Sequence, residues 1–221
     1  MRSKAKADSA QPDLEWETRL GYPGTLLAGV DEVGRGCIAG PVVAAAVILP
    51  SHIDFQAHPW LGEVSDSKKL TPLARERLAP LLEAWAAGFA IASASVEEID
   101  SINIYHASLL AMRRAVEDLK TRGKLPGHLL VDGNALPKNL PCPATAVVKG
   151  DLKCLSIAAA SIIAKVWRDR LMAELDHRFP LYGFSIHKGY PTPDHLRSLS
   201  EHGASEMHRK SFGPVAAVMR A

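Results

Sequence analysis

The sequence predicts an α/β fold, in which helices cover a β-sheet. Three observations support this prediction: short apolar runs of strand length, longer stretches with apolar residues at helical spacing, and the alternation of the two along 221 residues. Such alternation is typical of layered α/β domains. Hydrophobic residues make up 47% of the chain and charged residues 23%, so the composition is that of an ordinary globular protein able to bury a core.

Five segments are predicted to be strands: 26–31, 41–49, 88–95, 128–131 and 144–148. The first two flank a glycine-rich turn. The second contains the run Val-Val-Ala-Ala-Ala-Val-Ile-Leu, which is apolar without alternation and therefore indicates a strand covered on both faces.

Helix starts and stops follow from capping signals. Thr71 and Pro72 open a helix that Pro80 is expected to kink or split. The capping box at 95–98 opens a short helix, which a longer one follows from residue 103 or 104 to about 120. Further helices are predicted over 156–179, over 193–202 and after Pro214, and residues 1–22 are expected to be a flexible tail.

Composition excludes several classes of protein. The three cysteines, at positions 37, 142 and 154, form no CxxC pair, which argues against zinc and for a reducing compartment. No apolar run approaches the length of a membrane span and no signal peptide is visible, so we expect a cytoplasmic protein without a membrane partner. A net charge of +2 is too small to indicate nucleic-acid binding by itself.

Four acids abut the ends of predicted strands: Asp31, Glu32, Asp132 and Asp151. Strand ends at one edge of a sheet can bring such side chains together, and the cluster would repel itself unless cations bound within it. Mg²⁺ suits carboxylate ligands, and two ions would serve phosphodiester hydrolysis. Taken alone, Asp132 or Asp151 is more often a turn former or helix cap, whereas the adjacent pair at 31–32 has no obvious structural use.

The glycine turn after Glu32 also satisfies the dinucleotide fingerprint G-x-G-x-x-A at 34–39. That fingerprint requires a helix to open at its third position. A proline and a β-branched run follow here, so we reject it. The turn can present backbone groups to a sugar or phosphate, although a hairpin that needs positive φ would use the same glycines.

Several side chains are candidate contacts to a nucleic acid. Three loop lysines can meet phosphates: Lys68, Lys69 and Lys149. A solvated surface explains them equally well. Tyr190, in the loop 187–191, can stack on a sugar or base or simply pack in a turn. Lys165 and Arg168, on the predicted helix over 156–179, are interpreted as a polar helix face.

With these residues collected, the chain resembles the type 2 ribonucleases H, the ribonuclease HII family. The matching segments follow the family's order: 29–36, 39–43, 66–70, 131–134, 148–151, 156–166, 187–190 and 208–212. The resemblance implies a ribonuclease H-like fold with a mixed five-stranded sheet flanked by helices and a helical C-terminal portion. It implies a catalytic domain over 23–180 and a C-terminal helical extension over 181–221 that contributes to substrate binding.

The resemblance also implies an activity and a site. The activity is endonucleolytic cleavage of RNA in RNA–DNA hybrids and at ribonucleotides embedded in duplex DNA, with two Mg²⁺ or Mn²⁺ ions, in ribonucleotide removal and RNA primer processing. The implied metal-binding and catalytic acids are Asp31, Glu32, Asp132 and Asp151. The implied 2′-OH contacts are Gly34, Arg35 and Gly36, with Tyr190 stacking beside the RNA–DNA junction. By analogy, Asp31 would bridge the ions.

Three other assignments compete with this one. A type 3 ribonuclease H carries an extra N-terminal domain. Only about 25 residues precede the first predicted strand here, which is too few for that domain. A non-catalytic nucleic-acid-binding module would bind without turnover, and the presence of all four acids counts against it. A dinucleotide-dependent oxidoreductase would need a helix directly after the glycine turn, and the sequence predicts none there. We expect a monomer, as is usual in the family, and find no terminal peptide that would support a sliding-clamp partner.

Overall fold

The computed structural model describes residues 11–220, which form one five-stranded sheet covered by helices on both faces. The strands are β1 (Leu27–Val33), β2 (Val42–Ile48), β3 (Gly88–Ala94), β4 (His128–Asp132) and β5 (Ala144–Val147). The helices are α1 (Glu15–Arg19), α2 (Pro72–Trp85), α3 (Val96–Thr121), α4 (Leu155–Arg178), α5 (Phe184–His187), α6 (Pro193–His202) and α7 (Gly213–Val218). Two short 3₁₀ turns lie at Pro59–Glu63 and Gly150–Leu152. Within this range no helix is both long and apolar enough to cross a membrane.

The sheet is mixed, as predicted. Its strand order is β3-β2-β1-β4-β5, with β1, β2 and β3 joined antiparallel and β4 and β5 added parallel to β1. All five strands lie within two residues of their predicted bounds. Because Val30 pairs with Val131 in the parallel ladder between β1 and β4, the acids that follow them in the chain become neighbours.

Helices α3 and α4 cover opposite faces of the sheet. Every residue of β2 is buried, which confirms the prediction of a strand covered on both sides. One core lies between the sheet and α3, and the other lies between the sheet, α2 and α4. Gly29 of β1 faces α4 so closely that a Cβ placed on it would lie 2.1 Å from the carbonyl carbon of Ser156. This contact sets the distance between α4 and the sheet.

Local signals placed the helix starts well. Thr71 Oγ1 accepts the N–H of Ala74, and the capping box between Ser95 and Glu98 forms in both directions. The break predicted near residue 103 is present, because Asn103 has a φ of 65° and caps the longer segment by accepting two backbone N–H groups. Helix α2 runs through Pro80 without being split, since Leu78 and Leu82 on either side of it are buried in the core.

The expectation of a flexible tail over 1–22 is wrong for its second half. Residues 15–19 form α1, and Glu17 on it is fully buried. Its carboxylate accepts the backbone N–H and the hydroxyl of Ser156 at 2.9 and 2.7 Å, so it caps the first turn of α4. The partner lies 139 positions away, which is why no local pattern revealed this helix. Residues 1–10 lie outside the described part of the chain.

The helical C-terminal portion is held together by a buried histidine pair. His195 Nδ1 donates to the carbonyl of Tyr190 at 2.8 Å, and the two Nε2 atoms of His195 and His208 lie 3.1 Å apart. His208 Nδ1 accepts the N–H of Ser205, so its Nε2 carries the proton that bridges the pair. This chain of bonds requires both rings to be neutral. The division of the protein at residue 180 stays a prediction.

Acid should therefore destabilise the protein through these rings. Burial lowers the pKa of both His195 and His208 from 6.5 to about 4. Between pH 6.5 and 4 these two histidines are protonated in the unfolded chain but neutral in the folded chain. The free energy of unfolding should therefore fall by up to about 1.4 kcal/mol per pH unit in this window for each such proton. Urea titrations across this window would measure the slope.

The matched variants are His195→Gln and, as a control, His177→Gln at an exposed position. Since other groups titrate in the same window, the informative quantity is the difference in slope. His195→Gln should flatten the dependence and His177→Gln should not. Equal slopes for the wild type and His195→Gln would contradict the assignment of a neutral buried pair.

Candidate active site

Three carboxylates meet at the centre of the sheet. Strand β1 continues to Val33, so Asp31 and Glu32 lie within it rather than at its end, and Asp132 is the last residue of β4. One carboxylate oxygen from each of these three acids lies within 4.8 Å of the others. The parallel pairing of β1 with β4 produces this cluster from positions 100 residues apart in the chain.

Each acid of the cluster is oriented by a bond to its surroundings. Asp31 Oδ1 accepts the N–H of Glu32 at 2.7 Å. Glu32 pairs with the Arg35 guanidinium at 3.1 Å. Asp132 Oδ1 accepts the N–H of Gly150 at 2.7 Å. The carboxylates are therefore held in place by the protein itself, as a preorganised ligand set requires.

Asp151 stands next to the cluster without belonging to the group of three. It lies in the 3₁₀ turn after β5 and is buried, with 8% of its surface exposed. Burial raises its pKa, the charges of Asp132 and Asp66 add to the effect, and Lys68 opposes it. Asp151 is thus close enough to feel the charge of the cluster, as the fourth member of a larger anionic site would be.

Burial and mutual repulsion make it costly in free energy to keep these carboxylates ionised without a bound cation. Burial raises the pKa of Asp31 well above its usual range, and the charges of Glu32 and Asp132 raise it further. Burial also raises the pKa of Glu32, although the Arg35 guanidinium pulls it down. A divalent cation would remove this cost. The donors are all carboxylate oxygens, so the residues present fit a hard ion such as Mg²⁺ or Mn²⁺.

A cavity of about 160 Å³ opens beside Asp31. The predicted substrate residues among those lining it are Gly34, Arg35, Gly36, Lys68 and Tyr190. Tyr190 lies against the glycine turn: a Cβ placed on Gly36 would be 3.9 Å from the tyrosine ring. Tyr190 itself is 36% exposed. The structure therefore brings the glycine turn, Lys68 and Tyr190 to the same opening as Asp31 and Glu32.

The remaining cationic side chains fall into three environments. Lys69 and Lys149 are exposed and do not line this cavity. Lys165 does line it, with its ammonium 5.8 Å from the centre of the Tyr190 ring. The interpretation of Arg168 as part of a polar helix face is wrong, because it is fully buried and donates to three backbone carbonyls.

Sequence reasoning missed the supporting residues of the site. Arg168, Arg209 and the histidine pair are fully buried around the glycine turn and the Tyr190 loop. Charged residues on a helix or in a polar loop are normally solvated. The one available signal was the match of residues 208–212 to the family, which did not indicate what His208 and Arg209 contact.

Comparison with known proteins identifies relatives of this chain. The family model described as Ribonuclease HII matches residues 28–215. "Ribonuclease HII 2" from Methylibium petroleiphilum is 54% identical and covers 99% of this chain and 98% of its own length. Ribonuclease HII from Granulibacter bethesdensis is 56% identical over 97% of this chain and 94% of its own. The RNase HII in the PCNA:RNase HII complex of Archaeoglobus fulgidus has a TM-score of 0.68 and 29% identity, covering 85% and 95% of the two chains.

A ribonuclease H-like sheet with carboxylates at its centre defines a class of divalent-metal-dependent nucleases, and the acidic cluster here can bind such a metal. Within that class, the chain belongs to the ribonuclease HII family. It is accordingly a ribonuclease H, an endonuclease of the kind that acts on RNA–DNA hybrids.

Proposed function

We propose that this protein hydrolyses the RNA strand of RNA–DNA hybrids and nicks duplex DNA on the 5′ side of embedded ribonucleotides, leaving 3′-hydroxyl and 5′-phosphate ends. The observation that carries the proposal is the shared opening, where Asp31 and Glu32 of the acidic cluster, the glycine turn and Tyr190 line one cavity. A site built in this way can test the sugar at the place where it positions the phosphodiester.

The metal-binding and catalytic residues of the proposal are Asp31, Glu32, Asp132 and Asp151. Two Mg²⁺ or Mn²⁺ ions bound there would supply activation of water and stabilisation of the leaving oxygen. The protein contributes by holding the carboxylates in advance, through the N–H groups of Glu32 and Gly150 and the Arg35 guanidinium. Asp31, on the central strand and next to two other acids of the cluster, is proposed to bridge the ions.

Discrimination between ribose and deoxyribose is proposed to rest on the turn formed by Gly34, Arg35 and Gly36. The backbone N–H groups of Arg35 and Gly36 donate to no other residue within 11–220. Donors of this kind would be left unpaired against deoxyribose, and that cost gives a site its selectivity. The exposed Tyr190 ring beside Gly36 is proposed to stack at the RNA–DNA junction.

Charge complementarity supports the proposed phosphate contacts. Loss of solvent contact lowers the pKa of Lys68, but the carboxylates of Asp66, Asp31 and Asp151 outweigh it and raise that pKa above its ordinary value, so the ammonium is positive beside the cavity. Lys69 and Lys149 are exposed, do not line the cavity and are proposed to meet phosphates away from the cleaved bond. We also propose roles in ribonucleotide removal and RNA primer processing, and that the protein acts in the cytoplasm as a monomer.

Cleavage of a labelled duplex that carries a single ribonucleotide tests the proposal, with the cut mapped at nucleotide resolution. We expect one Mg²⁺-dependent cut on the 5′ side of the ribonucleotide, with 3′-hydroxyl and 5′-phosphate ends. The control is the all-DNA duplex of the same sequence, which should stay intact. A cut elsewhere, or cleavage of both duplexes alike, would contradict the proposed recognition of the sugar.

A further inference from the structure

We propose that Arg168 and Arg209 are positioning residues for sugar recognition: they hold the segment 34–41 from behind, so that its free amides face the substrate. The inference rests on the proposed function. It adds two residues that are not among the predicted metal-binding or substrate-binding residues. Both side chains are fully buried. Neither has a carboxylate within 4.0 Å among residues 11–220, which is unusual for a buried charge.

Their hydrogen bonds go to backbone carbonyls instead. Arg209, in the loop between α6 and α7, donates to Gly34, Arg35 and Gly40 at 2.8, 3.1 and 2.9 Å. Arg168, on α4, donates to Ala39 and Pro41 at 3.1 and 3.0 Å, and to Lys188 at 2.8 Å. Five of these six acceptors therefore lie in one eight-residue segment, and the sixth lies two residues before Tyr190.

The direction of these carbonyls determines the direction of the amides. In a trans peptide the C=O and the N–H point to opposite sides, and the bonds of this segment are trans. Because the carbonyls of Gly34 and Arg35 point inward to Arg209, the N–H groups of Arg35 and Gly36 point outward. These are the amides that lack a partner among the described residues, and both residues line the cavity.

Arginine is well suited to this task. Its planar guanidinium has donors in a fixed fork and can fix several carbonyls at once, whereas a lysine ammonium is a single compact charge on a flexible stem. Steric fit reinforces the arrangement, because Gly34 has a φ of +93° and a Cβ on it would lie 2.2 Å from Arg168 Nε. The two buried charges also place a positive potential behind a segment that meets a polyanion.

The test measures sugar discrimination directly. In chains that carry Asp132→Asn, so that nothing is cleaved, the ratio of the Kd values for all-DNA and single-ribonucleotide duplexes would be compared with and without Arg209→Lys. We expect Arg209→Lys to reduce this ratio about tenfold and, in the active chain, to raise KM for the single-ribonucleotide duplex by about the same factor. Arg168→Lys should act in the same direction.

The matched control is Arg114→Lys, since Arg114 also joins two elements by bonds to Glu98 and to the carbonyl of Ser93 but does not line the cavity. A purely structural role would lower the active fraction, and with it the apparent kcat, while KM and the discrimination ratio stayed unchanged. A folded Arg209→Lys chain with the wild-type ratio would overturn the inference alone. A parent chain that failed to distinguish the two duplexes would overturn the proposed function and the inference together.

If Arg209→Lys failed to fold, Arg168→Lys would provide the second test, because Arg168 holds the carbonyls of Ala39 and Pro41 in the same segment. The discrimination ratio should again fall about tenfold while the protein still melts cooperatively. An unchanged ratio in folded Arg168→Lys would count against the inference.

Discussion

Asp132→Asn is expected to slow cleavage of an RNA–DNA hybrid by about a thousandfold or more while leaving hybrid binding largely intact. Removing one charge from the cluster of Asp31, Glu32 and Asp132 weakens the hold on a divalent cation, whose stabilisation of the transition state amounts to several kcal/mol. Fold and binding should survive, because an asparagine oxygen can still accept the N–H of Gly150. Steady-state cleavage and hybrid titration would be measured on the same preparation.

Thermal melting of the same chains separates the metal from the fold. Without divalent ions, Asp132→Asn should be at least as stable as the wild type, since it relieves repulsion between like charges. With Mg²⁺ the wild type should gain stability and the variant should gain less. Asp118→Asn is the matched control, because Asp118, on α3, pairs with Arg122 and lies outside the cluster. Full Mg²⁺-dependent activity of Asp132→Asn would refute the assignment of the site.

Gly29→Ala is expected to prevent normal folding, with a loss of more than about 4 kcal/mol in the free energy of unfolding. A Cβ at this position would lie 2.1 Å from the backbone of Ser156 and 2.2 Å from that of Ile157. Backbone atoms in the first turn of α4 cannot move aside as a flexible side chain would. Strand β1 and α4 would have to separate, which would also disturb Asp31 two residues further along the strand.

Gly62→Ala is the matched control, because a Cβ on Gly62 meets nothing within 4 Å. Chemical denaturation should show a change of less than about 0.5 kcal/mol for this variant. A Gly29→Ala chain with near wild-type stability would mean that α4 does not approach the strand as closely as described.

Most secondary structure was predictable because its causes are local. The capping groups Thr71 and Ser95 lie within four residues of the amides they bind, and the apolar runs of the strands show their burial directly. Helix α1 was missed because Glu17 is stabilised by Ser156 across the fold. The burial of Arg168 was missed for the same reason, since its acceptors lie 20 to 129 positions away.

The amino-acid sequence by itself determined the strands, the main helices, the acids near the strand ends and the family to which the chain belongs. Only the tertiary structure decided which acids lie within 4.8 Å of one another, and that two buried arginines support the glycine turn. Periodicity and capping depend on neighbours in the chain, so the sequence reveals them directly. The convergence of the acids depends on strand order and on the distance between β1 and α4, which the packing of the whole domain sets.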